Sequence, residues 1–381
     1  MAQQAQLVNL RVLDSTGAGR DSYVIAAIQR AIELKSLYNI RIINLSLGRP
    51  VYESYTSDPL AQAVEAAWKA GIVVVVAAGN DGRDNSGGRS GYGTVNSPGN
   101  DPYVITVGAM KTKKTPSRAD DEIASYSSKG PTYLDHVVKP DLVAPGNQIV
   151  SLLINRNNWI STLYPRNVVP YSYYQTTGSN KPSYAYARLS GTSMATPMVS
   201  GAAALMLQKD PSLTPDQVKA RLMKTASKGF PTFSSATDPT TNQTYTSQYD
   251  VFTVGAGYLD VWAALNNNDV LNGRALSPIA RYDSATGIVF LVGADGAAWG
   301  TSAQWGSSAL WGSSALWGTR VVDATSALWG SSALWGSGTV QGFSAIWGSS
   351  ALWGSALTTS LNAATSLTSP ESVKVAIYGE Q

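Results

Sequence analysis

The chain has 381 residues, 44% of them hydrophobic and 14% charged, with a formal net charge of +3 and no cysteine. That length holds one large domain with a tail, or two domains, and the composition suits an extensive core. Lys and Arg form no dense cluster, so nucleic-acid binding is not indicated. Disulfides and thiolate metal sites are excluded, and the longest apolar run, Ile72 to Ala78, is far too short to span a bilayer. Met1-Ala2-Gln3-Gln4 opens no charged region followed by an apolar stretch, so no signal peptide is expected here.

In chain order, Val8 to Leu13 reads as a strand. Asp21 to Leu37 reads as a helix, with Asp21 or Ser22 as cap and Val24, Ile25, Ile28 and Ile32 at helical spacing. Ile40 to Leu45 is a second strand and Pro59 to Ala70 a second helix. Ile72 to Ala78, continuously apolar, predicts a strand buried on both faces, and Tyr103 to Val107 another. Strands alternating with helices argue for an α/β fold with a parallel sheet, helices on its faces and right-handed crossovers. Ligands of such sheets bind at the carboxyl ends of the strands. Ser46-Leu47-Gly48 and Gly79-Asn80 stand at those ends.

From Asn155 to Arg188 the pattern gives way to Tyr, Asn and Ser, which predicts a long surface excursion. Helices are expected from Thr192 to about Gln208 and from Thr214 to Thr225. In the second, Thr214 and Gln217 form a capping box and Pro215 suits the first position. Phe230 to Tyr249 reads as a polar loop, and Gly255 to Asp260 leads into a short helix ending at Leu265.

Beyond Asn266 a hexad of the form Trp-Gly-Ser-Ser-Ala-Leu takes over, with Trp at 299, 305, 311, 317, 329, 335, 347 and 353. A period of six is even, so an extended chain would put every Trp on one face. Three readings stay open: rings filling a small strand array, a loosely ordered tail, or aromatic platforms for glycans or a cell surface. The division expected is a main domain over 1–266, a linker over 267–298, the repeat over 299–357 and a tail over 358–381.

Gly191-Thr192-Ser193-Met194-Ala195-Thr196-Pro197 places a serine at the start of a helix rich in small residues. Gly191 permits close backbone approach, and the positive helix end favours a developing oxyanion. This run resembles the serine motif of the subtilisin-like peptidases, the subtilases. Val76-Ala77-Ala78-Gly79-Asn80-Asp81-Gly82 is similar to the strand of that family whose Asn amide donates to the oxyanion. Ser46-Leu47-Gly48 is similar to its substrate-pairing segment. Ser125 to Pro131 and Lys139 to Gly146 match further family signatures and read as scaffold. The resemblance runs from about Leu7 to Leu265.

It implies a three-layer subtilisin-like sheet and a serine endopeptidase acting on polypeptides through an acyl-enzyme. Ser193 would be the nucleophile and Asn80 the oxyanion donor. Ser46, Leu47 and Gly48 would form one wall of the specificity pocket, Ala77, Ala78 and Gly79 the other, with Thr192 beside them. Small residues in those walls leave room for a large apolar side chain before the cut. Export is implied, and structural calcium is frequent in the family, although no Asp cluster marks a site; no cofactor is required.

The family order is Asp, His, Ser. Its His-Gly-Thr-His motif is absent, and the one histidine, His136, lies in a polar loop where a solvated side chain is expected. Asp14 reads as a turn residue after the strand that follows the His helix, not as the triad Asp. The expectation is therefore a sheet lacking its first strand and His helix, with Met1 a late start, and a chain inactive alone. The alternative is a non-catalytic scaffold binding peptides or surfaces.

Overall fold

The structure, a computed structural model, describes residues 2–14, 17–153, 159–231, 233–238, 241–270, 273–283, 288–292 and 375–380. The Trp-Gly repeat lies outside the described residues, so none of its three readings is tested.

Helix α1 (Asp21–Glu33) and the short α2 (Lys35–Tyr38) replace the single helix expected to Leu37. Arg20, not Asp21 or Ser22, is the N-cap, and it makes no side-chain capping bond. Asp21 sits in the first turn and holds Arg49 Nε at 2.7 Å. Asn39 ends α2 in the left-handed region, which Asn tolerates. Strand β1 (Ile42–Leu45), α3 (Pro59–Lys69), β2 (Val73–Ala77) and β3 (Ile105–Lys111) follow, close to expectation. Every residue of β2 and β3 is buried.

β1, β2 and β3 pair in parallel, Leu45 opposite Val76 and Ala77 opposite Val107. β4 (Glu122–Ile123) joins β3 antiparallel and β5 (Leu142–Pro145) joins it parallel. β1 ends the sheet, and the strand expected over Val8 to Leu13 does not form. Only Leu13 bridges, to Gly19, while Leu7 is 92% exposed. A strand exists through its ladder, and nothing in the described chain pairs this one.

The excursion 155–188 is more ordered than its composition suggests. β6 (Ile149–Leu152), α4 (Trp159–Leu163), β7 (Val168–Pro170) and β8 (Pro182–Leu189) include a three-stranded antiparallel sheet in the order β6-β8-β7. Helix α5 (Thr192–Lys209) packs on β1, β2, β3 and β5. Ala195, Ala202 and Ala203, fully buried, let it lie against the sheet. α6 (Pro215–Thr225) carries the expected capping box.

The predicted loop 230–249 contains a hairpin, β9 (Phe233–Thr237) with β10 (Thr244–Gln248). Its hydroxyls pair across the strands, Ser235 with Thr246 at 3.0 Å and Thr237 with Thr244 at 2.9 Å. α7 (Val251–Val254) and α8 (Val261–Asn266) start at capping residues Asp250 and Asp260. Within 267–298, read as a linker, β11 (Ile279–Asp283) and β12 (Ile288–Val292) form a second hairpin, with Ile279 bridging to Val137. Residues 375–380 return to the domain, and Val375 joins the main apolar cluster.

Candidate active site

Two strand ends and one helix start converge. β1 delivers Ser46, Leu47 and Gly48, β2 delivers Ala78, Gly79 and Asn80, and α5 begins with Thr192 and Ser193. Gly191 is the N-cap of α5 at φ 139°, ψ 162°, in the left-handed range of φ that glycine tolerates. The first-turn N–H groups of α5, Ser193 among them, have no partner within the helix.

The hydrogen bonds fix the orientation of Asn80. Its Oδ1 accepts from Thr192 N at 2.9 Å and from Thr192 Oγ1 at 3.1 Å. A Cβ on Gly191 would stand 3.3 Å from Asn80 Nδ2, 3.5 Å from Asn80 Oδ1 and 3.7 Å from Ser193 N. The missing side chain thus leaves a space bordered by the Asn80 amide and the Ser193 N–H, beside a half-buried serine.

Ser193 is clasped to Ser46 from both sides. Ser46 Oγ donates to Ser193 O at 2.8 Å, and Ser193 Oγ donates to Ser46 O at 3.3 Å. Asn44 Nδ2 donates to Ser46 Oγ at 2.9 Å, and Asn44 Oδ1 accepts from Ser200 Oγ at 2.8 Å. The strand end and the helix start are thereby cross-linked.

Gly79, at φ 113°, follows the buried Ala77 and Ala78, the three residues expected as the second wall. A Cβ there would come within 2.7 Å of both Asn96 Nδ2 and Ser128 Oγ. These two side chains support the turn from outside: Asn96 Nδ2 donates to Asp81 Oδ2 at 3.1 Å, and Asp81 N donates to Ser128 Oγ at 3.1 Å. No sequence pattern pointed to Asn96. Ser128 lay in a run read only as scaffold.

His136 is half-buried rather than solvated, because its loop packs on β11. Its N–H donates to Thr132 O and its carbonyl accepts from Ala280 N. Burial lowers its ring pKa to about 4, against a smaller opposing pull from Asp135. Asp14 closes a turn, its N–H donating to Ala18 O and its Oδ1 accepting from Ala18 N. Among the described residues no group of three or more His, Cys, Asp or Glu side chains gathers in a way that could hold a metal ion. No described helix is long and apolar enough to cross a membrane.

The chain is similar to several known proteins. A family profile described as the Subtilase family matches residues 1–257. The serine protease AprX of Bacillus subtilis (strain 168) is 41% identical over 230 residues, covering 58% of this chain and 46% of that protein. Subtilisin E of the same organism is 36% identical over 226 residues, covering 59% and 45%. The chain therefore spans about half the length of the curated relatives it matches. Among solved structures, Sphericase is 27% identical with a TM-score of 0.44, covering 66% of each chain.

Proposed function

The chain belongs to the subtilase family, and on that premise we propose that it carries the nucleophile and oxyanion side of a serine endopeptidase acting on polypeptides. The observation that carries this reading is the space at Gly191, flanked by Asn80 Nδ2 and Ser193 N–H. A scissile carbonyl oxygen placed there would gain charge as Ser193 Oγ attacks its carbon, and the Asn80 amide and the Ser193 N–H stand near enough to supply donors to that charge. A base takes the Oγ proton and returns it to the departing amine. Water then cleaves the acyl-enzyme by the same route reversed.

The described residues hold no such base at Ser193. His136 is engaged at the β11 contact, and the family's His-Gly-Thr-His motif does not occur in the 381 residues. By itself Ser193 is a weak nucleophile, and most of the rate would be missing. The wall Ala77-Ala78-Gly79 carries small side chains, which suits a large apolar residue before the cleaved bond. Family membership supports an extracellular or cell-surface location.

The test is a chimaera in which the Asp- and His-bearing segment of AprX precedes this chain. A fluorophosphonate should label Ser193 in the chimaera, weakly or not at all in the chain alone, and not after Ser193→Ala. A chimaera that melts cooperatively yet is neither labelled nor cleaves peptide overturns the peptidase reading and leaves a peptide-binding scaffold.

A further inference from the structure

Residues 375–380 occupy a built cradle. The backbone of Glu380 is read at both ends by Asn147: Glu380 N donates to Asn147 Oδ1 at 2.8 Å, and Asn147 Nδ2 donates to Glu380 O at 2.7 Å. Gln148 Nε2 adds a bond to the same carbonyl at 3.1 Å. Asn167 Nδ2 donates to Ile377 O at 2.6 Å, and Ser190 N donates to Ala376 O at 3.0 Å.

The side chains are selected as well. Val375 and Ile377 are buried, and Tyr378 meets the ring of Tyr164 edge-on at 6.4 Å. Gly379 has φ 62°, and a Cβ there would collide with Ser190 Oγ. Glu380, 5% exposed, has its Oε1 bonded by Ser125 N at 2.8 Å, by Ser125 Oγ and by Arg83 Nη2 at 2.9 Å. Lys111 Nζ stands 3.7 Å from its Oε2. A carboxylate this deep is tolerated only with such partners.

We propose that Asn147, Asn167, Ser190, Ser125 and Arg83 form a peptide-binding site, separate from the substrate walls, for an acidic segment of the pattern apolar-x-apolar-x-Gly-Glu. Its resident ligand is this chain's own Val375–Glu380. The chain re-enters the domain after the Trp-Gly repeat and is anchored there by a lock that reads one glycine and one carboxylate. Ser190 lies three residues before Ser193, so the lock also fixes the approach to the nucleophile. That consequence rests on the peptidase reading, whereas the site itself does not.

The experiment reads binding alone. A site for a sequence-specific protease is placed within residues 358–370 of the full chain and cut, and the released piece carrying 375–380 is followed by size exclusion. It should stay with the domain. A synthetic peptide of residues 375–381 in excess should displace it, and the Glu380→Ala peptide should compete about a hundredfold less well, the scale of truncating one partner of a buried charge pair. A Gly379→Val peptide should fail likewise. Loss of the piece on cutting, or equal competition by all three peptides, overturns the proposal. Because the cut protein is otherwise the parent sequence, neither result depends on whether a variant folds or whether Ser193 reacts.

Discussion

The carbonyl of Ser193 accepts a hydrogen bond from Ser46 Oγ at 2.8 Å, and it is Pro197 that leaves this carbonyl available. In a regular helix the N–H four residues on would take that carbonyl, but proline has none. The backbone of Ser193, the proposed nucleophile, is thus turned toward the strand end that carries the expected substrate wall. Ser46→Ala should cost about 1 kcal/mol of stability by removing that partner. In a Pro197→Ala background, where residue 197 regains its N–H, the same change should cost less. Urea unfolding of the four proteins measures the coupling, and strict additivity would refute it.

The Thr192–Asn80 contact bears on rate rather than stability. In any form of the protein that cleaves peptide, Asn80→Ala should lower kcat by about a hundred- to a thousandfold, with KM little changed. The magnitude is carried over from subtilisin's own donor. Thr192→Val keeps the backbone bond to Asn80 Oδ1 and loses the hydroxyl, so its fall in kcat should be smaller. An unchanged kcat in Asn80→Ala would remove that residue from the oxyanion site.

Asp141 lies fully buried between two lysines, Lys139 Nζ at 2.8 Å and Lys219 Nζ at 3.1 Å, with Ser277 Oγ donating at 2.6 Å. Burial alone would raise its pKa, but the two ammonium groups outweigh this and hold it below the usual carboxylate value. Burial likewise pulls Lys139 down to about 7 despite Asp141. Asp141→Asn leaves the lysines facing no anion and should destabilise by about 3–5 kcal/mol. A fall in the thermal midpoint of roughly 10 °C would follow.

His136 makes stability depend on pH. Its folded pKa of about 4 lies below the ordinary value of 6.5, so between them the unfolded chain takes a proton that the folded chain refuses. Stability should be complete above about pH 6.5 and decline as the pH falls toward 4. With His136 only partly buried, the effect discounted for solvent screening is about 1–2 kcal/mol. His136→Gln should flatten the pH dependence of urea midpoints over that window, and an unchanged slope would count against it.

The capping box of α6 gives a local control. Gln217 N donates to Thr214 Oγ1 at 3.2 Å and Thr214 N donates to Gln217 Oε1 at 3.0 Å. Thr214→Ala should cost about 1 kcal/mol. The loss should appear in the unfolding midpoint without altering phosphonate labelling of Ser193 in the chimaera.

Whatever depends on local pattern was legible in the sequence by itself. The continuous apolar run 72–78 reads as a doubly buried strand, and Thr214-Pro215-Asp216-Gln217 as the start of a helix, and both form. The run from Gly191 to Pro197 likewise carried the resemblance to the subtilases, whose profile matches residues 1–257. Tertiary structure decided the rest. Val8 to Leu13 has a strand's composition and no ladder partner, so it stays unpaired. The Ser/Thr-rich stretch 233–248 reads as a loop until its hydroxyls meet across a hairpin. The Ser46–Ser193 clasp, the Asn96 and Ser128 support of Gly79 and the burial of Glu380 join residues 17 to 297 positions apart. No local periodicity encodes such pairings, because they exist only once the sheet has brought distant strand ends to one place.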